Sequence, residues 1–205
     1  MLAAFLHGYL LSFGLILPLG PQNTYVFAQG ATQPKLIRAL PVAAAASLAD
    51  TFLILLAVFG VSVIVLTIPI IKTILTLVGV GFLLYIGWVT WKSKPTSHGS
   101  HNEFDSLKKR IVFALSVSLL NPHAILDTIG VIGTSAITYA DGTRFAFTLA
   151  CILNSWSWFF GLTVMGRTLG VVDRNGRVLR TLNKVSAVII WTSALYLVSG
   201  LLGGA

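Results

Sequence analysis

Two aspartates, Asp50 and Asp127, stand inside long apolar stretches of this chain. The other four acidic residues (Glu103, Asp105, Asp141, Asp173) fall in short polar connections. A carboxylate at the centre of a membrane helix costs about 2.5–3.5 kcal/mol on insertion scales, so two cost about 5–7 kcal/mol. That sum rivals the net stability of a typical soluble domain, about 5–15 kcal/mol. Such groups persist where they handle ions, protons or a charged substrate; the plain alternative is a buried carboxylate with only a structural task. Each aspartate has polar company. Asp50 shares a helical face with the small residues Ala43 and Ser47, so it points at protein rather than lipid. Asp127 closes the string Asn121-Pro122-His123-Ala124-Ile125-Leu126-Asp127-Thr128, in which Asn121 and Thr128, seven apart, share a face of a straight helix. Histidine's reference pKa is near neutrality, so His123 could relay protons, although a neutral histidine with one structural hydrogen bond is the simpler expectation.

A second polar string lies upstream: Pro18-Leu19-Gly20-Pro21-Gln22-Asn23-Thr24. Each proline removes a backbone donor and blocks the helical bond four residues back. Around Gly20 and Pro21, and again at Pro122, the helix should break. Carbonyls freed at membrane depth need protein or water partners, so such breaks should line a cavity, into which Gln22 and Asn23 project their amides. A plain kink glued by those amides is the alternative. Asn154 stands among Ser155, Trp156, Ser157 and Trp158, where the tryptophans read as packing.

The elements that must carry these residues follow from composition. Of 205 residues, 56% are hydrophobic and 10% charged, against about 25% charged in a soluble domain. At about 20 residues per crossing, the chain accommodates about six membrane helices and no extramembrane domain. They are expected near Leu2–Gln29, Leu40–Leu66, Thr73–Trp91, Ile111–Ile137, Phe145–Thr168 and Val185–Leu202, with Pro41 in a first helical turn and Pro69 beyond the second span. Met1–Gly20 lacks a basic n-region and reads as a retained helix rather than a signal peptide. The net charge of +8 does not point to nucleic acid, because the basic residues gather at span ends. Twelve of the 14 fall after spans one, three and five; only Lys72 and Arg144 lie on the other side. Lys and Arg mark the cytoplasmic side, which puts both termini outside. Trp88, Trp91 and Tyr139 sit near span ends, as interface anchors do.

Aligning Pro21 with Pro122 brings Asp50 near Asn154 and Leu84-Tyr85 near Leu195-Tyr196. Three spans per half is odd, so the halves would be inverted in the membrane, the plan of secondary transporters. The expected architecture is an all-α integral membrane protein, a single domain over 1–205. Repeat one covers about 1–91, a polar cytoplasmic connection about 92–110 and repeat two about 111–205.

Negative findings narrow the chemistry. One cysteine, Cys151, permits neither an internal disulfide nor a dithiol pair and reads as a small buried hydrophobe. His98, His101, Glu103 and Asp105 have loose metal-ligand spacing in a polar loop, too little for a metal site. The chain carries no nucleotide-phosphate loop, no G-x-S-x-G and no H-E-x-x-H. No cofactor is expected. Gly166 and Gly170 form a single G-x-x-x-G at a span end, which leaves a homodimer open without arguing for one.

Taken together, Gly20-Pro21-Gln22-Asn23, Asp50-Thr51-Phe52, Asn121-Pro122-His123 and Asp127-Thr128 resemble the LysE/ArgO family of bacterial basic amino-acid exporters. The likeness covers nearly the whole chain. It implies a secondary transporter of the bacterial inner membrane that exports L-lysine or L-arginine, driven by protons or the membrane potential, and not an enzyme. Substrate and ion contacts are expected from Asp50, Asp127, Gln22, Asn23, Asn121, Thr128 and Asn154. The wider superfamily also exports neutral amino acids and a metal cation, and those remain alternatives. An intramembrane enzyme is the alternative of another class, but no nucleophile–base–orienter set supports it. A purely structural membrane subunit leaves the two aspartates unexplained.

Overall fold

The computed structural model describes residues 1–17, 20–59, 69–92, 106–172 and 177–203. All regular structure among them is helical. Helix α1 spans Leu2–Ile16 and α2 Pro21–Thr32. The two meet at 81°. Gly20 is extended (φ −75°, ψ 179°) and Pro21 takes the first helical position of α2, where its missing N–H is no loss. The carbonyl of Ile16, freed at the break, accepts from Asn23 Nδ2 at 2.6 Å. The expected break is therefore present, and protein satisfies it.

Helix α3 (Leu36–Val58) begins about a turn earlier than expected. Lys35 is its extended cap, Arg38 lies in its first turn, and Pro41 sits inside the helix rather than at its start. Helices α4 (Pro69–Lys92), α5 (Leu107–Leu119) and α6 (Pro122–Asp127) follow. Ser106 Oγ caps α5, accepting from the Lys109 N–H. Thr128–Gly133 then forms a π-helical turn, and α7 (Thr134–Ile137) completes the run. Leu107–Leu119 and Ala124–Ile137 meet at 56°. Asn121 and Thr128 thus do not share one straight helix. Pro122 opens a short helix, and the wide turn that follows accommodates an extra residue per bond.

Helix α8 (Asp141–Val172) is longer at both ends than expected, and α9 (Arg177–Gly203) starts eight residues earlier than the expected sixth span. Basic residues therefore ride on helix ends: Arg167 Nη1 donates to the Gln33 carbonyl at 2.9 Å, and Arg144 Nε to that of Tyr139 at 3.2 Å. Long cationic side chains can reach polar partners this way while their stems stay against apolar surface.

Leu36–Val58 and Gly142–Val172 are each long and apolar enough to cross a bilayer, and each bent pair supplies a further candidate span. Their outer faces are apolar: Leu6, Leu10, Leu48, Phe52, Phe145 and Leu153 are all exposed on the surface of the chain. In water such a belt would be a liability; against lipid it is the ordinary exterior.

The packing has a pattern. The α1–α2 pair lies on α8, and the α5-to-α7 run lies on α3. Helix α3 packs on α8, and α4 on α9. Exchanging the two halves maps these contacts onto themselves. Small residues make the approach close. A Cβ on Gly166 or Gly170 would run into the carbonyl oxygens of Phe27 or Ala31, and one on Gly30 into that of Thr163. The G-x-x-x-G is thus used within the chain, to seat α2 on α8.

Candidate functional site

The breaks exist to position a cavity. It has a volume of about 140 Å³ and lies where α2, α3, α6, the π turn and α8 converge. That is ample for several waters. Gly20, Pro21, Gln22, Asn23 and Asp50 line it from the first half of the chain. Asn121, Asp127, Thr128 and Asn154 line it from the second. Pro122 lies beside them in sequence, opening α6. The side chain of His123 lies outside the described residues, as do His98, His101, Glu103 and Asp105 of the polar connection.

Asp50 is wired on both oxygens. Gln22 Nε2 donates to Oδ1 at 2.9 Å and Ser155 Oγ to Oδ2 at 3.0 Å. The carboxylate thereby joins α2, α3 and α8. Helix α3 reaches this position through a buried face of Ala39, Ala43, Ala46 and Ser47, with the Ser47 and Thr51 hydroxyls returned to the carbonyls four residues back. Asp127 ends α6 and leads directly into the π turn. It therefore stands on the least regular element in the site, where π turns commonly mark function.

The tryptophans do more than pack. Trp158 Nε1 donates to Asn23 Oδ1 at 3.2 Å, while Asn23 Nδ2 holds the Ile16 carbonyl. Both ends of the Asn23 amide are engaged, which makes this residue the clamp of the broken helix as well as part of the wall. Trp156 Nε1 donates to Thr51 Oγ1 at 3.1 Å. Asn154 contrasts with Asn23: it is 1% exposed, and its Nδ2 has no hydrogen-bond partner. An open amide donor at a cavity wall is a ready seat for an acceptor on a ligand.

The repeat alignment makes Asn154 the counterpart of Asp50 in the second half; the α8 residue that bonds Asp50 is Ser155, next to Asn154. That serine and Ser12 were not singled out, although both line the cavity. Alternation of Ser and Trp on α8 was the available signal, since neighbours on a helix diverge by about 100° and only the tertiary contact selects one of them. Cys151 packs among Ala4, Ile54 and Phe147, as a small hydrophobe should, and its Sγ lies 3.4 Å from the Gly8 carbonyl.

Electrostatically the cavity is one-sided. Two carboxylates line it, and among the described residues no Lys, Arg or His does. Nor do three His, Cys, Asp or Glu come together anywhere among the described residues in a way that would hold a metal ion. An acidic lining of this kind is chemically suited to a cationic group or to protons.

Comparison with known proteins agrees. Residues 13–200 match the LysE type translocator family. The chain is 50% identical over 193 residues to the "Putative amino-acid transporter YisU" of Bacillus subtilis (strain 168), covering 94% of this chain and 88% of that protein. It is 34% identical to the arginine exporter protein ArgO of Serratia proteamaculans (strain 568) over 201 residues, 96% of this chain and 97% of that one. For the ArgO of Pectobacterium carotovorum subsp. carotovorum (strain PC1) the identity is 36%, with the same coverage. No solved structure matches the fold. A multi-pass helical membrane chain whose two helix breaks meet at an acidic cavity, matched along nearly its whole length, this protein belongs to the LysE type translocator family.

Proposed function

We propose that the protein exports cationic amino acids, L-arginine or L-lysine, across the bacterial inner membrane as a secondary transporter coupled to protons or the membrane potential. One observation carries this reading: carboxylates from both halves of the chain line a single cavity, and among the described residues no Lys, Arg or His lines it. The relatives named as arginine exporters support the substrate class.

In this reading the substrate supplies the missing charge. Its ammonium or guanidinium group sits between Asp50 and Asp127, and its carboxylate takes the open donor of Asn154. Gln22, Asn121 and Thr128 complete the polar wall. Gln22 and Ser155 hold Asp50 in place, so little ordering remains to be done on binding. Protonation of a carboxylate weakens its hold on a cation, which couples proton movement to release.

Six spans in two inverted repeats suit the packing. Helices α4 and α9, with 24 and 27 residues, are long enough at about 1.5 Å per residue to add two crossings to the four candidates. The exchange-symmetric contacts and the paired proline breaks support the inverted plan, which provides two related arrangements of one set of contacts. Both termini lie outside in this reading, from the distribution of basic residues.

The deciding experiment is uptake of labelled amino acids into inside-out vesicles, with and without a pH gradient. Arginine or lysine should accumulate in preference to neutral amino acids. Equal uptake of leucine would overturn the substrate class, and uptake indifferent to both pH gradient and membrane potential would overturn the coupling.

A further inference from the structure

A second cavity, of about 380 Å³, lies on the other side of the first turn of α2, bounded by α2, α4, α5 and α9; Pro21 borders both cavities. Its charge is the reverse of the first. Lys109 and Arg110 line it, with Asn183 beside them, and among the described residues no Asp or Glu does. The remaining wall includes Ile86, Val89 and Phe113, so the cavity is polar at one end and apolar along its side.

Arg110 is held for binding. Its Nη1 donates to the Arg38 carbonyl at 3.1 Å, while its buried Nε has no partner. The Nε–H and the Nη2 beside it form the side-on edge of the guanidinium, the edge that takes two oxygens of one oxyanion. Among the described residues no carboxylate lines the cavity, so an oxyanion from outside the chain can take that edge.

The surroundings identify its source. Trp88 and Trp91 stand on the surface near the end of α4, and Lys92 Nζ lies 4.2 Å from the centre of the Trp88 ring. Aromatic and basic residues together mark the depth of lipid headgroups. Val89 lines the cavity and is 38% exposed, so the apolar wall continues onto the lipid-facing surface. Cations at headgroup depth, an apolar wall beside them and a lateral opening are the features of a lipid site between helices. A free amino acid is the poorer fit, because two cations repel a substrate of net positive charge.

We propose that this cavity binds one anionic phospholipid, with its phosphate on Arg110 and Lys109 and its acyl chains along Ile86, Val89 and Phe113. The binding itself is independent of the transport reading. Its consequence is not: a lipid lying along α2 would brace the helix whose first residue, Pro21, also borders the central cavity.

The test is native mass spectrometry of the purified full chain with phosphatidylglycerol and phosphatidylcholine in competition. One phosphatidylglycerol should be retained with a preference on the order of tenfold at low salt, from two cations near a headgroup. The preference should vanish in the Lys109→Gln, Arg110→Gln double variant and persist in Lys92→Gln, which alters a headgroup-depth cation outside the cavity. Equal retention of the two lipids by the wild type, or undiminished preference in the double variant, would overturn the site. Displacement of the lipid by millimolar L-arginine would overturn it too, and would make the cavity a substrate subsite. Should the double variant not fold, the competition on the wild type at low and high salt still decides, since a charge-driven site must lose preference as salt rises.

Discussion

The two carboxylates of the central cavity stand on unlike supports. Asp50 rides on α3, an uninterrupted helix of 23 residues, and donors from α2 and α8 engage both of its oxygens. Asp127 ends a helix of six residues and is followed at once by a π turn. One half of the protein thus presents its carboxylate on a long regular helix, and the other on a short helix that runs straight into a π turn. The contrast suggests a division of labour: Asp50 organises the site, and Asp127 moves with the conformational change. Broken helices are where transporters place groups that must change exposure.

Removing the Asp127 charge tests this most severely. Asp127→Asn should reduce export of arginine from dipeptide-fed cells to background, while membrane abundance stays at or above that of the wild type, because a neutral amide is easier to bury. Wild-type export at equal abundance would return Asp127 to a structural role and end the comparison.

Next comes the Asp50 charge. Asp50→Asn keeps the shape but sets an amide against two donors, Gln22 Nε2 and Ser155 Oγ. Export should fall at least tenfold, and thermal stability in detergent should drop by about 1–3 kcal/mol from the mispaired donor. A variant lost in transport yet unchanged in stability would show that Asp50 is not the organiser.

The seat of α2 on α8 should matter to stability rather than to charge. Gly166→Leu places a side chain where the Phe27 carbonyl stands. Overpacking of this kind costs about 1–3 kcal/mol, read as a lower unfolding midpoint. An unshifted midpoint would mean that the two helices are not held together at this position.

Smallest of all should be Trp158→Phe, which removes one neutral hydrogen bond to Asn23 and keeps most of the ring. About 1 kcal/mol of stability should be lost, with transport by the intact fraction close to that of the wild type. A loss of transport as large as that of Asp50→Asn would place the helix break itself, and not only the carboxylates, at the centre of the mechanism.

Much of this was legible before any coordinates. A proline has no N–H to donate, so Pro21 and Pro122, each beside glycine or polar residues, marked helix starts, and an acid in an apolar run needs polar company. Hydropathy marked the helical stretches for the same reason, since backbone groups in lipid must be satisfied within the element. Element ends were less legible. Helix α3 runs through Pro41, and α8 extends to Asp141 and Val172, because a long helix tolerates polar residues wherever their side chains reach water or a neighbouring carbonyl. The pairing of halves by their prolines gives equivalent positions rather than contacts, so it could not name Ser155 as the α8 partner of Asp50.

Residue identities, then, settled the class of protein, the places where its helices break and which side chains are too polar for lipid. Those are local matters, decided by each residue's own donors, acceptors and charge. Tertiary structure decided that Ser155 bonds Asp50, that Asn154 keeps an open donor, and that Trp158 clamps Asn23. It also turned the G-x-x-x-G inward and set a basic cavity behind an acidic one across a single proline. Which of two neighbours on a helix meets a partner depends on the rotation and depth at which helices dock. That docking is fixed by close packing across the whole bundle, and no short stretch of sequence carries it.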